Sequence, residues 1–167
     1  MDAIQVGIVL GSDSDLSVMT KCSEILEAFG IPFFMTVASA HRTPERVTAL
    51  VKRAEEEDWK VIVAGAGMAA HLAGVIAAHT IIPVIGVPMP SSDLNGLDAL
   101  LSTVQMPGGV PVAAMGLGSA GAKNAGILAV QILATADPSL KDKLREYRER
   151  LKREVIEKAE KIESARN

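Results

Sequence analysis

Five times along this chain, a short apolar run of strand length is followed by a segment whose apolar residues recur every three or four positions. "IQVGIVL" (4–10) precedes a helical face marked by Leu16, Met19, Cys22, Ser23, Ile25, Leu26 and Phe29, which Gly30 ends. "FFMTVAS" (33–39) precedes a helix with Thr43 as N-cap and Pro44 at its first position; Val47, Leu50, Val51 and Ala54 form its apolar side and "EEED" faces water. "KVIVAG" then "MAAHLAGVIAAH", "PVIGVP" then "LDALLSTV", and "PVAAM" then "NAGILAVQILAT" repeat the alternation. Strands separated by helices on short connections pair in parallel through right-handed crossovers, with helices on both faces. The expected fold is an α/β three-layer sandwich.

Residues 61–90 are apolar enough that a membrane span must be weighed. Two histidines, four glycines and three prolines divide that stretch into pieces of strand and helix length, as in a β-α-β unit buried on both faces. With 167 residues, 49% of them apolar, one domain is the default. The start, "MDAIQV", has no basic n-region, so no signal peptide is expected. Cys22 is the one cysteine, which excludes an internal disulfide and suits a reducing, cytoplasmic setting.

The last segment differs in kind. Leu140, Leu144, Tyr147, Leu151, Val155 and Ile162 make one narrow apolar stripe on a highly charged amphipathic helix. The expected division is therefore 1–136, an α/β catalytic domain, and 137–167, a helix packed on its own domain or across a subunit boundary. Residues 137–167 hold 10 of the 17 Lys and Arg and 8 of the 20 Asp and Glu. The first 136 residues thus carry 7 positive against 12 negative side chains, and the whole chain is net −3. Nucleic acid binding, which needs a basic stripe, finds no support. An anion bound by the body would rely on few cations and on backbone N–H groups at helix starts.

In an open parallel sheet, ligands bind beyond the carboxyl ends of the strands. The loops after the first three strands are "GSDSD" (11–15), "SAHRTP" (39–44) and "GAGMAAHLAG" (65–74). Ser12 and Ser14 can bond an anion or cap the next helix; Asp13 and Asp15 are strong N-cap residues, and Asp15 suits ribose hydroxyls. Arg42 can hold a phosphate or carboxylate through two parallel bonds, and His41, flanked by Ser39, Arg42 and Thr43, can exchange protons near neutral pH. His71 reads equally as a ligand contact or a structural histidine, and His79, late in its helix, as structural. The third loop and "GLGSAG" (116–121) match dinucleotide-binding glycine patterns, but neither is followed by a strand ending in an acidic residue for a ribose. No metal site, Walker loop, nucleophile elbow or Schiff-base lysine emerges. What remains is proton transfer with anion binding.

"GSDSD", "SAHRTP", "GAGMAAHLAG", "GVP", "STVQMPGGVPV" and "KNAGILAVQIL", in that order over residues 4–135, closely resemble the class I N5-carboxyaminoimidazole ribonucleotide mutases of de novo purine biosynthesis. The resemblance implies a flavodoxin-like sandwich, an octamer with active sites at subunit contacts, and a cofactor-free transfer of the carboxylate from the exocyclic nitrogen to carbon 4 of the imidazole. Carried over by position, it implies His41 as the catalytic acid and base, with Ser12, Asp15 and Arg42 binding the ribonucleotide. Ser39 falls in the same loop as His41, and Ala70, His71 and Leu72 lie near the aminoimidazole and trapped carbon dioxide. The runner-up is the related class that carboxylates aminoimidazole ribonucleotide with free carbon dioxide. A flavodoxin-like nucleotide-binding module without turnover is a third reading, opposed by only 3% aromatic residues. The chain departs from the family's "GAGGAAHLPG" at Met68, expected to exclude positive φ there, and at Ala73, expected to loosen the turn.

Overall fold

The computed structural model describes residues 3–91 and 93–165. The chain divides into two compact units, Met1–Val130 and Gln131–Asn167. In the first, strands β1 (Val6–Leu10), β2 (Phe33–Val37), β3 (Val61–Ala66), β4 (Val84–Pro88) and β5 (Ala113–Ala114) form one sheet in the order β2-β1-β3-β4-β5. Every neighbouring pair is parallel. This is the flavodoxin-like order, with helices α1 (Leu16–Phe29), α2 (Pro44–Glu56), α3 (Leu72–Ala77), α4 (Leu97–Val104) and α5 (Gly118–Leu133) as the crossovers and outer layers.

β1, β3 and β4 are buried almost throughout, which is why they read as continuous apolar runs instead of alternating ones. Successive side chains still point to opposite faces. Val9, Ile62, Ala64 and Val84 join α2 and α3 residues and Trp59 in one cluster. Gly7 belongs to that face, and a Cβ there would meet the Trp59 ring at 2.3 Å, so only glycine lets the indole lie over β1. On the other face Gly65 lies against Met19 of α1, and Gly126 of α5 against Ile25 of α1.

α1 ends as its sequence requires. Gly30, at φ 72, donates its N–H to Glu27 O while Ile31 N–H reaches Leu26 O, a Schellman closure that glycine adopts without Cβ strain. α2 begins at Pro44, but Thr43 makes no side-chain cap; its hydroxyl is bound to Ser39 instead. α3 covers only Leu72–Ala77, so the third helix starts four residues later than "MAAHLAGVIAAH" suggests. Ala73 lies in its first turn and is 2% exposed.

In the second unit, α6 (Pro138–Ser164) is capped by Asp137, whose carboxylate accepts from Ser139 N–H at 2.8 Å and from the Ser139 hydroxyl. Leu140 and Tyr147 are buried, whereas Val155 and Ile162 of the predicted stripe are exposed. Among the described residues no helix is long and apolar enough to cross a membrane.

Candidate active site

Because β1 lies between β2 and β3, the loops leaving the carboxyl ends of these three strands are immediate neighbours. They enclose a cavity of about 510 Å³, within the usual range for a small-molecule site. Ser12, Asp15, Ser39, His41, Arg42, His71 and Leu72 all line it. Ala70 does not: it is 2% exposed, and its N–H donates to Ser102 Oγ at 2.9 Å, so it supports the loop from behind.

The first loop extends the sheet, Gly11 N–H donating to Gly65 O at 2.9 Å, and then turns into a single 3-10 turn, Asp13–Asp15. Ser12 is the cap of that turn: its Oγ accepts from Ser14 N–H at 3.4 Å and from the Ser14 hydroxyl at 3.0 Å. Asp15, at the head of α1, makes no side-chain cap, so its carboxyl is not consumed by the helix it precedes. It is only 6% exposed, and burial raises its pKa above the ordinary carboxylate value, partly offset by Ser12 and Ser14 hydrogen bonds.

The second loop is laced by its own short side chains. Thr43 Oγ1 accepts from Ser39 N–H at 3.0 Å and donates to Ser39 O, and Ser39 Oγ accepts from Arg42 N–H at 3.2 Å. The Arg42 guanidinium then crosses to the first loop, Nη2 donating to Gly11 O at 3.2 Å and Nε to Ser39 Oγ at 3.4 Å. Two of its five N–H donors are thus spent on aim, leaving three for a ligand. Among the described residues it is the one Lys or Arg lining the cavity.

The third loop brings the second histidine to the first. His41 Nε2 and His71 Nδ1 are 2.9 Å apart, with the rings nearly perpendicular at 78°. At that distance one nitrogen carries the hydrogen and the other accepts it, so the pair fixes each ring's tautomer against the other. His79, in the turn after α3, points away to bond Val75 O of that helix at 2.8 Å. Met68 lines the cavity with φ 54, where the sequence reading excludes a positive φ. The side chain escapes crowding by being 63% exposed, and the backbone holds the left-handed conformation that glycine would adopt more easily. Sequence reasoning missed the Gly11 carbonyl that aims Arg42 and the Ser102 hydroxyl behind Ala70. Neither carries a sequence signal, since both act across more than 30 residues.

Together these groups offer a fixed cation, hydroxyl and backbone donors for an anion, a buried carboxyl, and an imidazole pair able to give and take a proton. Among the described residues no three His, Cys, Asp or Glu side chains are grouped to hold a metal ion.

The protein family described as AIR carboxylase matches residues 5–154. The chain is 57% identical over 159 residues to a Thermotoga maritima protein named N5-carboxyaminoimidazole ribonucleotide mutase, spanning 95% of this chain and 92% of that one. A Bacillus subtilis protein of the same name is 52% identical, spanning 94% and 97%. A Schizosaccharomyces pombe phosphoribosylaminoimidazole carboxylase is 50% identical over 95% of this chain but only 28% of its own length. Among solved structures, Treponema denticola PurE superposes with a TM-score of 0.84 at 31% identity, covering 92% of this chain and 94% of that one.

Proposed function

Because the chain belongs to the AIR carboxylase family, we propose that it converts N5-carboxyaminoimidazole ribonucleotide to 4-carboxy-5-aminoimidazole ribonucleotide, with His41 as acid and base. The observation that carries this reading is the His41–His71 bond in a cavity that Arg42, Ser12 and Asp15 also line. His41 gives a proton to the carbamate nitrogen, the C–N bond breaks with its electron pair going to nitrogen, and carbon dioxide is released. Ring carbon 4 of the electron-rich aminoimidazole then attacks the carbon dioxide. The proton on that carbon returns to His41, restoring aromaticity and the starting protonation state. Small side chains at Ala40, Ala66 and Ala69 let a neutral gas stay beside its acceptor without competing charge.

The test is isotopic. With carboxyl-labelled N5-carboxyaminoimidazole ribonucleotide in unlabelled bicarbonate, the product is expected to retain the label, and aminoimidazole ribonucleotide with bicarbonate alone is expected to turn over far more slowly. Complete loss of label to solvent would instead favour a carboxylase using free carbon dioxide.

Asp15 receives the ribose hydroxyls in this reading. Its raised pKa means that the neutral carboxyl stabilises the fold below the ordinary carboxylate value, and that this contribution is lost as pH rises through the raised value. Asp15→Asn is therefore expected to melt higher than wild type at neutral pH, with the gap closing in acid. Loss of a charged acceptor should at the same time raise KM by about 10- to 100-fold. Thermal melts across pH and initial rates check the two halves; an unchanged KM removes Asp15 from the binding set.

The quaternary form in this reading is an octamer in the cytoplasm. Its support is the apolar surface that each unit leaves exposed: Leu97, Leu101 and Val104 along α4, and Val155, Ile156 and Ile162 along α6. The buried, solitary Cys22 suits a reducing compartment.

A further inference from the structure

One costly backbone conformation and one tight turn fall within four residues of the third loop. Met68 is left-handed at φ 54, and His71 N–H donates to Ala69 O at 2.8 Å, closing a turn of only three residues. Neither is chosen by the local sequence, which is rich in good helix formers. Something outside the loop must therefore favour this form over a helix begun earlier. Ser102, in the middle of α4, is placed to do so. Its hydroxyl donates back to its own helix, to Asp98 O at 2.8 Å with Ala99 O at 3.2 Å, so a lone pair is left facing the loop. That lone pair accepts the Ala70 N–H at 2.9 Å. Ala70 is 2% exposed, so without Ser102 the N–H would be buried with no acceptor, and the loop would have to move to reach water. The strained Met68 lies two residues before Ala70, and His71 directly follows it.

We infer that Ser102 is a positioning residue: its hydroxyl clamps Ala70 and thereby holds the strained loop that presents His71 to His41. This rests on the carboxyl-transfer reading for its kinetic consequence, but not for its structural one. The clamp lies outside the cavity lining, so its removal leaves Arg42, Ser12 and Asp15 in place.

The experiment has an arm that needs no substrate. By NMR, the Ala70 amide of the wild-type protein is expected to exchange slowly with solvent, and in Ser102→Ala about 10- to 100-fold faster, while amides in the middle of α1 are unchanged. A wild-type Ala70 amide that exchanges at the rate of an unfolded peptide overturns the clamp, even if the variant does not fold. In the kinetic arm, Ser102→Ala is expected to lower kcat by about tenfold or more with KM nearly unchanged, and Ser102→Thr, which keeps the hydroxyl, to retain most activity. Adding Met68→Gly to Ser102→Ala is expected to recover about fivefold in kcat, because glycine removes the strain that the clamp opposes. Loss of activity that tracks melting temperature, with no recovery from glycine at 68, reduces Ser102 to an ordinary packing residue. Wild-type protein inert toward the carboxyamino substrate overturns the activity reading, and the exchange arm then decides the clamp alone.

Discussion

His41→Asn is expected to lower kcat for carboxyl transfer by about 10³-fold, within the range of 10² to 10⁴ that general acid–base catalysis supplies, while KM changes by less than about threefold. Asparagine reaches only as far as the His41 Nδ1 position, so it loses both the imidazole and the Nε2 bond to His71, while Arg42 still ties the second loop to the first through Gly11 O. The ribonucleotide contacts assigned to Ser12, Asp15 and Arg42 do not pass through the His41 ring, since Arg42 is aimed by Gly11 O and Ser39 Oγ. Binding and turnover should therefore separate, and ribonucleotide binding measured by calorimetry beside the spectrophotometric rate shows whether they do. Equal rates in variant and wild type would remove His41 from the chemistry. His71→Asn is the informative companion, because its amide sits at the Nδ1 position and can still bond His41 Nε2 while the second imidazole is gone. A drop there smaller than at 41 assigns the proton transfer to His41.

Most of the scaffold was legible because the sheet is buried on both faces. β1, β3 and β4 must be apolar at every position, and the helices between them must show one apolar side, so two periods alternate in the sequence and fix the class. The adjacency of the three loops follows from the strand order, which the βαβ handedness rule narrows to few choices. What could not be read is where tertiary contacts override local preference. "MAAHLAG" is made of helix-forming residues, yet α3 begins only at Leu72, because the preceding residues are bent to place His71 beside His41. Thr43 followed by Pro44 has every mark of an N-cap, yet its hydroxyl turns back to Ser39. His41 and His71 are each identifiable from their loops, but a 2.9 Å bond between side chains 30 residues apart depends on two χ angles of each histidine that no spacing encodes. Ala70 shows the converse: the motif puts it between two lining residues, Ala69 and His71, yet its N–H faces α4 and it does not line the cavity.

The scarcity of cations around the cavity makes the second large effect predictable. Among the described residues Arg42 is the one Lys or Arg in the lining, and the first 136 residues carry 7 positive against 12 negative side chains. A doubly charged phosphate that enters must therefore rely on that guanidinium, Ser12, and the backbone N–H groups where the chain turns into α1. Arg42→Ala is expected to raise KM by about 10²-fold, the loss of roughly 2–3 kcal/mol from charge-assisted hydrogen bonds, with a smaller effect on kcat. Arg42→Lys keeps the charge but loses the fork that Gly11 O and Ser39 Oγ hold in place, so it should fall between the two, at about tenfold. The decisive control is the substrate without its phosphate. If Arg42 acts on that group, wild type and Arg42→Ala should bind the nucleoside with equal, weak affinity, and the difference should appear only when the phosphate is present. An equal penalty on nucleoside and nucleotide would mean that the guanidinium holds the two loops in register through Gly11 and Ser39, and that the anion is carried by backbone amides alone.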